Sequence, residues 1–435
     1  VISIVAVSVV ATAVWGAELP APAVPAAAPI APAPAMSMNM TESGAAATTT
    51  ATAEKPAEAP PAAWPPGLLM ENLQKLGGDK PLNTAGIRIW GYFEGGFTGR
   101  LTGGQNPLPL MAFESTRPNN ILLHQFRLTF DRPYDAAKSV DWGFRVDGLF
   151  GSDAFFTHSQ GLFQYAGHGT GSEWADLTQF YGQGWFKTGA DSGLELTVGK
   201  FVTTHGAEVI DATGNALFSH SYLFNYAIPF THTGVKLNYI FNPQVSVYVA
   251  AVEGWDVFQD NNHAWSTMVG TVISGTEQID GHARTTLAFN VITGPEQADN
   301  VSHNRTVVDA VLTYWWTGKL SQTINADYGV EQDVPGVGAA HWYGVAHYLT
   351  YTINDYVSAT WRTEWFRDQG GSRTGTDGNF FENTWGLSIT PAPNHPVLKN
   401  LVVRPELRWD ASDKPAFGGD NHNQLTAGFD VIFKF

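Results

Sequence analysis

Charged residues stand at every second position in several short segments, and that spacing decides what chemistry they can do. Arg127 with Asp131, Arg145 with Asp147, Arg362 with Glu364, and Arg404 with Glu406 and Arg408 each share one phase of a two-residue alternation. In an extended chain, residues two apart project to the same side. The other phase is largely apolar: His124, Phe126, Leu128 and Phe130; Val140, Trp142, Phe144, Val146 and Phe150; Val357, Ala359, Trp361 and Trp365; Val403, Leu407 and Trp409. A guanidinium beside a carboxylate in mid-strand can face water and act on passing ions. It can also pair across strands and stiffen the wall that carries it. The full set of candidates for such a wall is Arg88, Glu94, Arg127, Asp131, Arg145, Asp147, Glu195, Lys236, Glu253, Arg284, Asp309, Asp327, Arg362, Glu364, Arg404, Glu406, Arg408 and Asp430.

A second group sits in one long irregular stretch, residues 205–228. Glu208, Asp211, Asn215, His220 and Asn225 are interleaved there with Leu217, Phe218, Tyr222, Leu223, Phe224 and Tyr226. Such a mixture is unusual for a solvated loop. Folded into a lumen, the stretch would pack its aromatic rings on the wall and leave the polar groups at the narrowest point. A surface loop capping a mouth and a subunit contact are the alternatives.

The chain shows no constellation for enzymatic chemistry. His205-Gly-Ala-Glu208 lacks the second histidine of a zinc-protease helix. There is no Gly-x-Ser-x-Gly elbow and no phosphate-binding glycine loop. The 13 histidines are scattered, with His158, His168, His205 and His220 the set that could converge on a metal. We read neither a metal site nor a cofactor. The absence of cysteine excludes disulfides and thiolate metal sites. A net charge of -16 argues against nucleic acid, which requires clustered Lys and Arg.

Positioning these residues takes many strands. Sixteen segments between 87–98 and 424–435 alternate in this way, most of about the 9 to 11 residues that cross a bilayer at a tilt. The 45 glycines, 13% aromatic residues and only 15% charged residues suit strands and turns. A mean hydropathy of -0.12 is too polar for a helical membrane bundle, whereas a barrel's lipid-facing and lumen-facing residues average out. A β-sandwich would alternate too, but the mixture of Arg with Asp and Glu in mid-strand suits a water-filled channel better. Connections alternate long and short: 99–121, 133–139, 151–178, 188–192, 203–230, then Asn242-Pro243. Pro405 lies inside a strand that has no free edge, which predicts a bulge there. Trp90, Trp142, Trp185, Trp255, Trp315, Trp316, Trp361, Trp385 and Trp409 suit interfacial girdles, although Trp90 and Trp185 share the polar phase.

Ahead of the strands, residues 1–17 form an uncharged apolar run with cleavage-like ends at Ala11–Ala13 or Val14–Gly16, the pattern of a signal peptide. Residues 18–66 are an Ala/Pro-rich spacer without apolar periodicity, predicted to be disordered. Residues 67–86 hold a short helix, with Leu68, Leu69, Leu73 and Leu76 on one face, and a linker; the helix packs at the rim, enters the lumen or frays.

The chain ends on an alternating strand. Leu425, Ala427, Phe429, Val431, Phe433 and Phe435 occupy one phase, and Thr426, Gly428, Asp430, Ile432 and Lys434 the other. This resembles the closing strand of a bacterial outer-membrane barrel, which the barrel assembly machinery reads. The stretches 199–211 and 230–237, Gly294-Pro-Glu-Gln297, Arg362–Asp368 with Gly370-Gly371, and Arg404–Asp410 together resemble the Putative beta-barrel porin-2 (OmpL-like) family over residues 87–435. The resemblance implies an all-β transmembrane antiparallel up-and-down barrel of about 16 strands in the outer membrane, in contact with lipid and passing small solutes or ions. Barrels of this size often form homotrimers. The acidic surplus predicts a weak cation preference. The alternatives are a plugged structural or adhesive barrel with acidic surface loops and, less in keeping with the residues, a barrel enzyme.

Overall fold

The computed structural model describes residues 67–102, 110, 111, 113, 117–163 and 174–435. The signal-peptide and spacer readings, and His168, lie outside these residues. Alternation at period two becomes a meander of antiparallel strands: β1 (Arg88–Thr102), β2 (Ile121–Arg132), β3 (Val140–Gly151), β4 (Trp174–Lys187), β5 (Gly193–Val202), β6 (Thr231–Asn242), β7 (Val245–Val252) and β8 (Ser266–Ser274). A small hairpin, β9 (Gln278–Ile279) and β10 (His282–Ala283), interrupts it. The meander resumes with β11 (Thr285–Pro295), β12 (Asn304–Thr317), β13 (Leu320–Val334), β14 (Gly338–Asn354), β15 (Val357–Gln369), β16 (Gly378–Ile389), β17 (Leu401–Ser412) and β18 (Asn423–Lys434). Leaving the hairpin aside, sixteen strands close into one barrel in which β1 pairs with β18. At the seam Phe97 stands opposite Phe429, and Phe435 exchanges two backbone hydrogen bonds with Gly91, at 2.8 and 3.0 Å.

Each strand reverses the last, so the connections alternate between two rims: the long 203–230 and 253–265 lie at one, and tight turns such as 243–244, 318–319 and 355–356 at the other, together with the longer 275–284 and 390–400. At the short-turn rim, helix α1 (Leu68–Lys75) packs against the base of β1 with Met70 buried, and α2 (Lys80–Ala85) ends where Arg132 donates to the Ala85 carbonyl at 3.2 Å.

The two phases separate as the alternation requires. Trp142, Trp316, Trp361, Trp385 and Trp409 stay exposed on the outer face, along with Phe130 and Phe429, as a lipid-facing belt needs. Arg127, Arg362, Arg404 and Arg408 are buried on the inner face. Trp90 and Trp185 turn inward, under Arg145 and against Tyr134 respectively. Trp255 joins no lipid-facing girdle: it is buried in the connection after β7, with Arg305 and Arg373 over its ring.

Two readings of strand regularity need correction. His124 does not share the outward phase with Phe126. It is the extra residue of a bulge, because Glu94 pairs with Gln125 while Gly95 pairs with Leu123. The bulge turns its ring inward, 3.1 Å from Ser152 Oγ and edge-on to Phe218. Conversely, Pro405 makes no bulge. The ladder to β18 runs through it unbroken, and the ladder to β16 lapses opposite it and resumes in the same register, Gly386 with Glu406 and Ile389 with Val403. A residue in an antiparallel strand directs its N–H toward one neighbour only, so proline costs a single bond and no register. Pro405→Val should restore that bond toward β16 and stabilise the barrel by about 1 kcal/mol or somewhat less, read as a shift in the urea midpoint of the refolded protein.

Candidate functional site in the barrel lumen

Between β5 and β6 the chain leaves the wall for residues 203–230, and nearly all of them are buried. A segment inside a barrel cannot join the strand ladders, yet its backbone N–H and C=O groups still need partners. Side chains on the inner wall supply them. Glu364 accepts from the N–H groups of Tyr222 and Leu223 at 2.6 and 2.7 Å, and Glu406 from those of Phe218 and Ser219, both at 3.0 Å. The guanidinium groups take the carbonyls. Arg404 donates to Ala212 O and Asn215 O at 2.8 and 2.6 Å, Arg408 to His220 O at 2.5 Å, and Arg362 to Ser219 O at 2.5 Å. Gln125 donates to Ile210 O, Trp342 Nε1 to Ala227 O and Arg373 to Tyr226 O, while Asn325 accepts from Ala207 N. The grip therefore comes from both ends of the chain.

The same residues neutralise one another. Arg362 bridges Glu382 and Glu208 at 3.0 and 2.6 Å, Arg404 lies between Asp430 and Glu94, Arg408 pairs with Asp410, and Arg127 reaches Asp147 and Asp211. Tyr222 Oη donates to Asp410 at 2.7 Å.

Apolar contacts complete the dock, and glycines make room for them. A side chain at Gly386 would collide with Leu217, one at Gly96 with Phe218, and one at Gly344 would press on Leu223. These three inward glycines are sockets for the segment. Phe113, from the first long connection, closes over it against His220, Phe224 and Phe230.

The five polar residues singled out in the segment separate into two groups. Glu208, His220 and Asn225 are buried fasteners: Glu208 accepts from Ser221 N and Oγ, His220 stacks on Phe224 at 4.0 Å, and Asn225 donates to Ser221 O. Asp211 and Asn215 stand at a tip, residues 211–216, that keeps contact with solvent. Asp211 caps the turn by accepting from Thr213 N, and Asn215 closes it by bonding both N and O of Val209.

Among the wall candidates, two are misplaced by sequence phase. Glu253 lies beyond the end of β7, in the connection rather than on the inner wall, and has the parity of the outward-facing Val247, Val249 and Ala251. Arg284 stands between the β9–β10 hairpin and β11 and pairs with Glu277 at 2.7 Å, outside the lumen. Arg88 and Asp131 form a pair near the short-turn rim. Asp309 and Asp327 face each other across β12 and β13, both bonded by Asn325. Arg145, Glu195 and Lys236 remain partly exposed. Sequence phase missed Tyr92, Gln125, Asn325, Trp342, Glu382, Asp410 and the glycine sockets. Glycine on an inward phase was the available signal.

Burial, with His232 beside it, holds the His205 imidazole well below its ordinary range and so neutral. Among the described residues no cluster of three or more His, Asp or Glu could hold a metal ion.

Sixteen antiparallel strands, apolar outside and charged inside, around a long lumenal segment define an outer-membrane barrel of the porin class. The chain belongs to the family described as Putative beta-barrel porin-2, OmpL-like, whose model matches residues 86–435. It is thus an outer-membrane channel protein of bacteria and not an enzyme. Its fold is similar to that of the outer membrane channel DcaP of Acinetobacter baumannii, with a TM-score of 0.53 and 14% identity, over 81% of this chain and 98% of that one. It is also similar to OprB of Pseudomonas putida, with a TM-score of 0.51 and 14% identity, over 83% and 97% of the two chains. No curated protein sequence gives a significant match.

Two predictions follow from the dock. Arg362→Leu strands Glu208 and Glu382 in a buried site without their cation, which should cost about 3–5 kcal/mol, measured by urea unfolding of the refolded barrel. In the long-loop connections, Asp256 accepts from Phe230 N and Thr231 N, and Glu296 from Trp255 N. Burial pushes both carboxyls up to about 7, with Glu296 adding to the rise of Asp256 and Glu331 to that of Glu296. The folded state then binds protons that the unfolded state has already released, so stability should fall as pH rises from about 4 to about 7 and level off above it. Thermal unfolding across that range checks the sign, and Asp256→Asn with Glu296→Gln should flatten the slope.

Proposed function

We propose that this barrel lets small hydrophilic solutes and ions diffuse passively across the outer membrane, with residues 203–230 narrowing its lumen. The observation that carries the reading is the set of wall side chains bonded to the segment's backbone, above all Arg362, Glu364, Arg404, Glu406 and Arg408. A segment so held acts as a fixed partition, and its solvent-facing tip with Asp211 and Asn215 forms one edge of the passage. Sixteen strands enclose more cross-section than side chains can fill. We take the other edge to be the inner face of β3–β6, where Arg145, Tyr181, Gln183, Glu195, Lys236 and Asn238 stay partly exposed. The weak cation preference expected from the net charge of -16 finds little support there, since the exposed and partly exposed charges of that face mix Arg145, Lys187 and Lys236 with Asp141 and Glu195.

The burial of almost the whole segment favours a second reading, a plugged barrel with a structural or adhesive role. Single-channel conductance in a planar bilayer separates the two. The refolded barrel should give a stable open channel, and Gly386→Leu, which fills the Leu217 socket, should widen it, as should deletion of residues 205–228. A silent barrel would favour the plug. An open channel unchanged by both variants would take the segment out of the narrow part.

We extend the same reading to assembly. The outward phase of β18, with Phe435 against Phe126 at the seam, suits recognition by the barrel assembly machinery, and removal of Phe435 should lower the yield of folded barrel in the outer membrane. A homotrimer would run as one detergent-resistant band that heat converts to monomer.

A further inference from the structure

On the inner face of β3–β6, Lys236 and Arg145 keep some contact with solvent, while Asp147 is buried. Lys236 stands two residues from Gly234, which pairs with Gly199, which in turn pairs with Tyr181. Neither glycine puts a side chain into the lumen, so the lysine stem has room to cross them, and its ammonium comes to rest 5.1 Å from the Phe201 ring. No ion pair of Lys236 is found among the described residues. The carboxylate on the neighbouring strand, Glu195, is otherwise engaged: it accepts from Tyr134 Oη at 2.8 Å and from Thr197 Oγ1 at 3.3 Å.

The second cation of this face, Arg145, shares its carboxylate. Its Nε donates to Asp147 at 2.9 Å, and Asp147 also serves Arg127, which has a second partner in Asp211, while Asp131, the register partner of Arg145 on β2, pairs with Arg88. Arg145 also lies 5.2 Å from the Trp90 ring and is the register partner of Tyr181. A cation held over an aromatic face keeps its charge available to a ligand approaching from the other side. Gln183 and Asn238 add amide donors on the same face, and both are partly exposed.

We propose that this face is a station for small organic anions, resting on the channel reading above: a carboxylate pairs with Lys236 or Arg145 while the apolar part of the solute lies on Tyr181 and Trp90. The probes are KCl, benzoate and benzylammonium, applied to the full refolded barrel in a planar bilayer. Under a KCl gradient the reversal potential should take the sign of anion preference, and benzoate should reduce the open-channel current more than benzylammonium does. Lys236→Glu should reverse the sign of the reversal potential. Lys236→Gln and Arg145→Gln should each weaken the benzoate effect, the latter leaving Asp147 its partner Arg127. Lys399→Gln, on the exposed connection before β17, should change neither reading, and the heat-modifiable gel shift of each variant confirms that it has folded.

A conducting channel that prefers cations overturns the proposal while leaving the channel reading intact, as does one blocked equally by both probes or one indifferent to Lys236→Glu. A silent barrel fails the channel reading instead. Saturation-transfer NMR with benzoate then decides the station separately: binding that Lys236→Gln removes keeps it, and no binding overturns it.

Discussion

A chain segment placed inside a barrel has no strand to pair with, and that constraint organises the rest of this molecule. Every N–H and C=O of residues 203–230 that loses water needs another partner, at a cost of one to several kcal/mol for each group left bare. The inner wall meets the demand with ionised side chains, which make the stronger kind of hydrogen bond. Carboxylates at positions 364 and 406 accept from N–H groups, and guanidiniums at 362, 404 and 408 donate to carbonyls. The alternation of Arg with Glu along β15 and β17 thus matches the alternation of donors and acceptors along a backbone laid across them.

Charges used in this way are no longer free to act on a solute. Arg362, Arg404 and Arg408 each lie against carboxylates in a buried network, where removing one partner costs far more than the pair contributes. The network also explains why an acidic chain need not have an acidic passage. Much of its negative charge on the wall is matched locally, and the net charge says little about the few groups that water still reaches.

How far the site was legible can be followed residue by residue. The inward phase of Arg362 and Glu364 was plain from the apolar tryptophans opposite, because a strand's faces are set by parity alone. His124 broke that parity through a bulge whose cause lies in the partner strand, where Gly95 pairs past it with Leu123. Arg284 fits the inward parity of β11, but the strand begins only after it, and Glu253 carries the outward parity of Val247 and Val249 beyond the end of β7. Glu208 and Asp211 look alike in the chain, three positions apart. One is buried against Arg362 and the other stands at an exposed tip, and only the docked path of the segment separates them. The glycines at 96, 344 and 386 marked inward positions in the sequence, but which side chains they admit came into view only with the docked segment.

By itself, then, the sequence determined the number of strands, the face each presents, the polar character of the lumen and the unusual composition of the segment between β5 and β6. Each of these follows from local spacing, which needs no knowledge of distant residues. The tertiary structure alone decided which charges meet: Glu208 with Arg362, Arg404 with Glu94, Tyr222 with Asp410. Those partners are brought together by closure of the ring and by the path of one segment through it, and contacts between residues far apart in the chain leave no periodic trace in its order.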